Sequence, residues 1–195
     1  MIDRIEETLR KMAQSDPSPP VREAASSALD RLLAKRSAGA ALQTLRTGPL
    51  AERLRVVHSS EDIGGREGVS LLLAALSDPE AEVRGAAARA LGSFSTVPVL
   101  RALAERLPKE QGFVLGNLVE AMGKSRRKEL APVIGRYLEH PDPFVCSKAV
   151  QAYALIAEKD DWEKILLLAG SENETVRAAA AAALSEWSSG ETSAG

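Results

Sequence analysis

Few side chains of this 195-residue chain could do covalent chemistry: one cysteine, Cys146, and two histidines, His58 and His140. A cysteine attacks as its thiolate, and a nearby imidazole can take the proton. His140 and Cys146 are six residues apart across a turn marked by Pro141 and Pro143, so they form a nucleophile and base only if the loop folds one onto the other. Neither histidine lies in a His-Glu dipeptide, and no cluster of acids has metal-ligand spacing. A lone thiol closes no internal disulfide and cannot build a structural zinc site without further ligands. These residues predict no catalytic residue, no metal and no cofactor, and on this reading the chain is not an enzyme.

A second chemical feature is the run Lys124-Ser125-Arg126-Arg127-Lys128, with Arg136 beyond it. Four cations in five residues could meet phosphate or an acidic partner. A short charge run is more often a solvated loop, and cations near a helix C-terminus also favour its dipole. Over the whole chain 25 Lys and Arg stand against 27 Asp and Glu, a net charge of −2. That balance argues against broad contact with a nucleic-acid backbone. No stretch approaches the roughly 20 apolar residues of a membrane span, and the first residues lack the apolar core of a signal peptide. The expectation is a soluble, cytoplasmic chain that binds no membrane.

The elements that must position these groups are helices. Aromatic residues make up only 4% of the chain while alanine is abundant, which suits close helix packing and starves a sheet of its usual residues. Val83, Val114, Val145 and Val176 recur every 31 residues, and two further periods back reach Val21. Positions 0, 4, 7, 8 and 11 of the unit, as in Val83, Ala87, Ala90, Leu91 and Phe94, form one face of a helix. A preceding helix carries Leu72, Leu103, Ile134 and Ile165, each followed four residues later by Leu76, Leu107, Leu138 or Ala169. Asp16-Pro17, Asp78-Pro79 and His140-Pro141 mark the turns between the two helices, where proline stops the first and Asp can cap the turn or the next helix. Each unit is a helical hairpin, and the spacing predicts six, stacked through neighbours as a monomer. The second unit departs from the pattern, with Glu52, Ser59 and Ser60 on core columns and Gly64-Gly65 behind them, so a slipped register or a short helix is expected there.

The third unit, Leu72-Leu73-Ala74-Ala75-Leu76-Ser77-Asp78-Pro79-Glu80-Ala81-Glu82-Val83-Arg84-Gly85-Ala86-Ala87-Ala88-Arg89-Ala90-Leu91-Gly92, resembles the short HEAT-like repeat, a type also found in phycobilisome lyases. The resemblance covers residues 1–188 and implies an all-α fold, a right-handed α-α superhelix of about six 31-residue HEAT-like hairpins with the second helices on the concave side. Residues 189–195 are small and polar and read as a disordered tail. The resemblance further implies that Arg22, Arg53, Arg84 and Arg177, one column past the valines, pair with a turn aspartate of a neighbouring unit, here Asp16 or Asp78. Arg53, whose own unit lacks the aspartate, is expected to be freer, and Cys146 is read as a small residue replacing arginine in this column. HEAT-repeat metal hydroxylases place His-Glu motifs on facing helices, and this sequence has none. Trp162 and Trp187 fall on core columns, which leaves no aromatic of the kind HEAT-like DNA glycosylases use to grip a base.

With the chemistry thin, the expected function is a non-catalytic protein-binding adaptor or scaffold. Its partner would dock on the exposed stripe of the second helices: Arg89, then Phe113, Asn117 and Glu120, then Phe144, Lys148 and Gln151. Two of the three phenylalanines occupy equivalent positions one period apart, a hot-spot arrangement; alternatively both rings fold over their own turn and close the hairpin. Two other functions stay open. One is a subunit of a bilin-lyase-like or chaperone-like enzyme, implied by the resemblance alone, and the other is a nucleic-acid-binding HEAT protein acting through the basic run.

Overall fold

The computed structural model describes residues 1–158 and 161–191, with side chains at 34, 35 and 187–191 outside the description. Among the described residues there is no strand, and no helix is long and apolar enough to cross a membrane. The helices are α1 (Ile2–Ser15), α2 (Pro19–Thr47), α3 (Leu50–Ile63), α4 (Gly65–Ala75), α5 (Ala81–Leu91), α6 (Val97–Arg106), α7 (Gly112–Lys124), α8 (Ala131–Ile134), α9 (Pro143–Ala154), α10 (Trp162–Leu168) and α11 (Glu174–Glu191). Residues 189–191 of the expected tail thus continue α11, and 192–195 lie outside the described residues.

The chain is an all-α solenoid that divides into two compact bodies, Met1–Pro49 and Leu50–Gly195. The first is the hairpin of α1 and α2, tied by Arg36 to Asp3 and Glu6. At 29 residues α2 is far longer than the pattern asks, because it fuses the second helix of repeat one with the first helix of repeat two. Between the two stretches stands Leu33-Ala34-Lys35-Arg36-Ser37, with neither proline nor glycine to break the helix. Gly39 lies inside α2 with open space where a Cβ would stand. Gly39→Ala is therefore expected to raise stability by about 0.5–1 kcal/mol through a cheaper helical backbone, and a lower midpoint in urea would contradict that.

In the second body α3, α5, α7, α9 and α11 pack successively on one another, and α4, α6, α8 and α10 each lie against the second helix that comes next. The columns read from the sequence are the core: Leu72, Leu103, Ile134 and Ile165 are buried in the first helices, and Val83, Val114, Val145 and Val176 in the second. Each 31-residue unit packs against its neighbours, so stability is shared across them. The helix of repeat two is not short, with 14 residues in α3, but only Ser60 of its three polar column residues is buried, while Glu52 and Ser59 are exposed and Val57 enters the core. Ser60 is fully buried with its hydroxyl donating to the Val56 carbonyl, and Gly68 sits so close to the Ser60 carbonyl that no Cβ fits. Gly64 and Gly65, both at positive φ, make the sharp reversal into α4. Trp162 is buried as expected, whereas the Trp187 side chain lies outside the description.

Candidate functional site

His140 and Cys146 do not form a catalytic pair. His140 takes the place of the turn aspartate: its Nδ1 accepts from the Asp142 amide at 3.1 Å, as Asp16 and Asp78 accept from Ser18 and Glu80 at 2.9 Å. The Cys146 thiol points elsewhere and donates to the Leu138 carbonyl at 2.8 Å. Burial pushes this thiol up, away from the thiolate a nucleophile needs. Both groups serve the turn.

The arginine column is a stacking device, though wired differently from the expectation. Arg22, Arg84 and Arg177 each donate through Nη1 to two carbonyls of their own turn, six and five residues back. Cys146 supplies a smaller donor at the same column. Two members of the column also pair with a carboxylate of the next repeat, Arg84 with Glu110 and Arg53, expected to be the freest, with Asp78: Arg53 Nη1 reaches Asp78 Oδ1 at 3.3 Å, and the side chain is largely buried. That carboxylate therefore serves two neighbours, capping its own turn and holding the preceding repeat. Glu110 was not foreseen from the sequence. Its carboxylate receives Arg84 Nε and Nη2 at 2.8 and 3.0 Å and is also bonded by Arg106.

The stripe of the second helices has a third geometry, distinct from both alternatives. Neither phenylalanine closes its own turn. The Phe113 ring lies on Gly85 of the preceding repeat and the Phe144 ring on Gly116, so near that an added Cβ would stand 2.5 and 2.6 Å from ring carbons. Their outer edges stay in water, with Phe113 45% and Phe144 39% exposed. Asn117 fixes the first seat by donating to the Gly85 carbonyl at 3.0 Å. Glu120 is shared by Lys124 of its own helix at 2.9 Å and Lys148 of the next at 2.6 Å, and the Lys148 ammonium stands 5.8 Å from the Phe144 ring centre. Arg89 and Gln151 complete the stripe as exposed residues. Phe113, Asn117, Glu120, Phe144 and Lys148 are thus joined in one half-exposed surface.

The basic run is partly spent within the chain, with Lys124 on Glu120 and Lys128 on Glu158. A cleft of about 680 Å³ beyond it also escaped the sequence. One wall is the interrupted first helix of repeat five, where α8 is only four residues long, between the 3-10 turns Lys128–Leu130 and Gly135–Tyr137. At the cleft the buried Tyr153 hydroxyl donates to Asp161 at 2.7 Å and accepts from Lys164 at 2.9 Å. Among the described residues no group of His, Cys, Asp and Glu is placed to hold a metal ion.

Known proteins resolve the repeat type. Residues 40–118 match the HEAT repeats. The chain has the fold of HEAT-like repeat proteins. Human deoxyhypusine hydroxylase, solved with glycerol, superposes with a TM-score of 0.60 at 19% identity, over 80% of this chain and 64% of that one. The complex of CpcE and CpcF of phycocyanin lyase from Nostoc sp. PCC7120 gives a TM-score of 0.55 at 21% identity, over 90% of this chain and 74% of that one. This HEAT-like chain therefore spans less than two thirds of the hydroxylase. At such identities the likeness is one of fold. No curated protein sequence matches. The expectation that the chain is not an enzyme does not survive these comparisons, because both structures belong to enzymes. The physical reason is that facing helices of such a stack can hold reacting groups at many positions, so missing motifs leave an enzymatic role open, alone or in a complex.

Proposed function

We propose that this HEAT-like chain binds another protein through the exposed edge of α5, α7 and α9. The observation that carries the reading is the pair of phenylalanine rings, half exposed and each seated on a glycine of the preceding repeat. A ring held this way loses little freedom on binding, and anchors of this kind concentrate the energy of an interface. A photocrosslinking residue in place of Gln151, beside the rings, is expected to capture one protein in the native cell. The same residue in place of Leu166, on α10, should not. Capture that persists in the Phe113→Ala, Phe144→Ala double variant, folded by its melting curve, would place the contact elsewhere.

A second reading has its own support. The lyase structure is a complex of two chains and superposes on 90% of this one, which favours a role as one subunit of a lyase-like enzyme. On that reading the captured protein is a second HEAT-like chain, and the co-purified pair carries a pigment-modifying activity.

A further inference from the structure

We propose that the occupant of the second-helix face is an amphipathic helix of the partner, acidic on its flank, that sets two apolar side chains seven residues apart against Phe113 and Phe144. The inference rests on the protein-binding reading and specifies what is bound.

Geometry selects the spacing. The two rings project from equivalent positions of α7 and α9, which pack directly on each other, and packed helices lie about 8–10 Å apart. A helix laid across them advances about 1.5 Å per residue, so side chains seven apart are separated by about 10.5 Å and lie on one face. Positions three or four apart span about half that distance and reach one ring at a time.

Charge selects the flank. On the side of the rings toward the C-terminal ends of these helices stand Arg89, Lys124 and Lys148, against the single carboxylate of Glu120. Glu120 is held by both lysines. Burial raises its carboxyl, but the hydrogen bonds from Lys148 and Lys124 outweigh that and keep it below the usual range, so it stays ionised. The sum there is two positive charges, with Arg89 bound to no carboxylate among the described residues. Glu82, at the start of α5, stands in the row of the rings and not on this flank. A bound helix with Glu or Asp along one flank would meet the cations, and a basic flank would be repelled.

The probes are three stapled helical peptides of equal length, read by fluorescence anisotropy on the whole chain. The first carries two leucines seven residues apart and a glutamate flank. The second replaces glutamate by lysine, and the third sets the leucines four apart. The first is expected to bind with a dissociation constant of about 100 μM or tighter, and at least tenfold better than the others. Its affinity should fall in raised salt. Arg89→Glu and Lys124→Glu, both at exposed positions, should each weaken it several-fold without moving the melting curve. Phe113→Ala should weaken it about tenfold. Equal binding of the lysine peptide overturns the charge argument, and equal binding of the four-spaced peptide overturns the spacing. Absence of binding at 1 mM, roughly the 4 kcal/mol limit of a useful contact, rejects the helical occupant. Crosslinking at Gln151 reports separately on whether any protein docks there, so the two readings fail independently.

Discussion

Gly123→Val is expected to destabilise the second body strongly, with a loss of about 3 kcal/mol in denaturant unfolding. A Cβ at Gly123 would stand 2.5 Å from both the Ala152 Cα and Cβ and 2.7 Å from its carbonyl oxygen. Those atoms belong to the helix backbone or its first carbon, and no rotamer change moves them aside. The helices α7 and α9 must separate, opening the core around Met122 and Tyr153, both buried. Gly116→Ala is the informative control, since its Cβ would meet the Phe144 ring, a group that can swing into water. Its cost should be about 1 kcal/mol, near the lower end for an overpacked site. Similar losses at the two positions would show that the backbones of α7 and α9 adjust more freely than their spacing implies.

Glu110→Gln should cost about 3 kcal/mol, because it leaves Arg84 and Arg106 facing each other beside a carbonyl-lined turn. The Glu110 side chain is 3% exposed and its two arginines 18% and 22%, so the penalty belongs at the lower end of a broken buried pair. Acid should do what the substitution does. Burial raises the Glu110 carboxyl, yet the hydrogen bonds from Arg84 and Arg106 more than offset it, leaving the group below the ordinary 4.5. A folded-state value below the unfolded one gives stability that is complete above about pH 4.5 and is lost as the pH falls through the folded value. The wild type is therefore expected to lose stability on acidification in that range. The Glu110→Gln variant should lose less over the same interval, and equal pH slopes would remove Glu110 from the account.

The helical columns were legible because burial in a repeat is imposed at a fixed period. Leu72, Leu103, Ile134 and Ile165 sit in the core for the same reason they recur in the sequence. What escaped notice depended on reach between neighbouring repeats. A 31-residue period says which residues are equivalent, but not that Phe113 leans back onto Gly85, or that Arg53 reaches forward to Asp78. The fused α2 escaped for the opposite reason: with no breaker at residues 33–37, continuing the helix costs nothing locally. Glu110 lies in the turn before α7, where the periodic pattern carries no residue type, so only coordinates could join it to Arg84. The exposed stripe was readable as positions, and its residues do form one surface, while what they bind is a matter for the peptides and crosslinks.

The glycine seats also govern how such a chain can lengthen. Each seat needs a ring from the later repeat and a glycine from the earlier one. Repeat three supplies only the glycine, Gly85, and repeat five only the ring, Phe144, with Ser147 where its own glycine would be. Repeat four supplies both, Phe113 and Gly116. A tandem copy of repeat four could be inserted beside the original with every ring still finding a glycine, whereas a second repeat five would press Phe144 onto Ser147, and a second repeat three would bring Glu82 to Gly85 in place of a ring. Among these three repeats the fourth is the one module through which the stack can grow by duplication without rewriting the contacts at its joints.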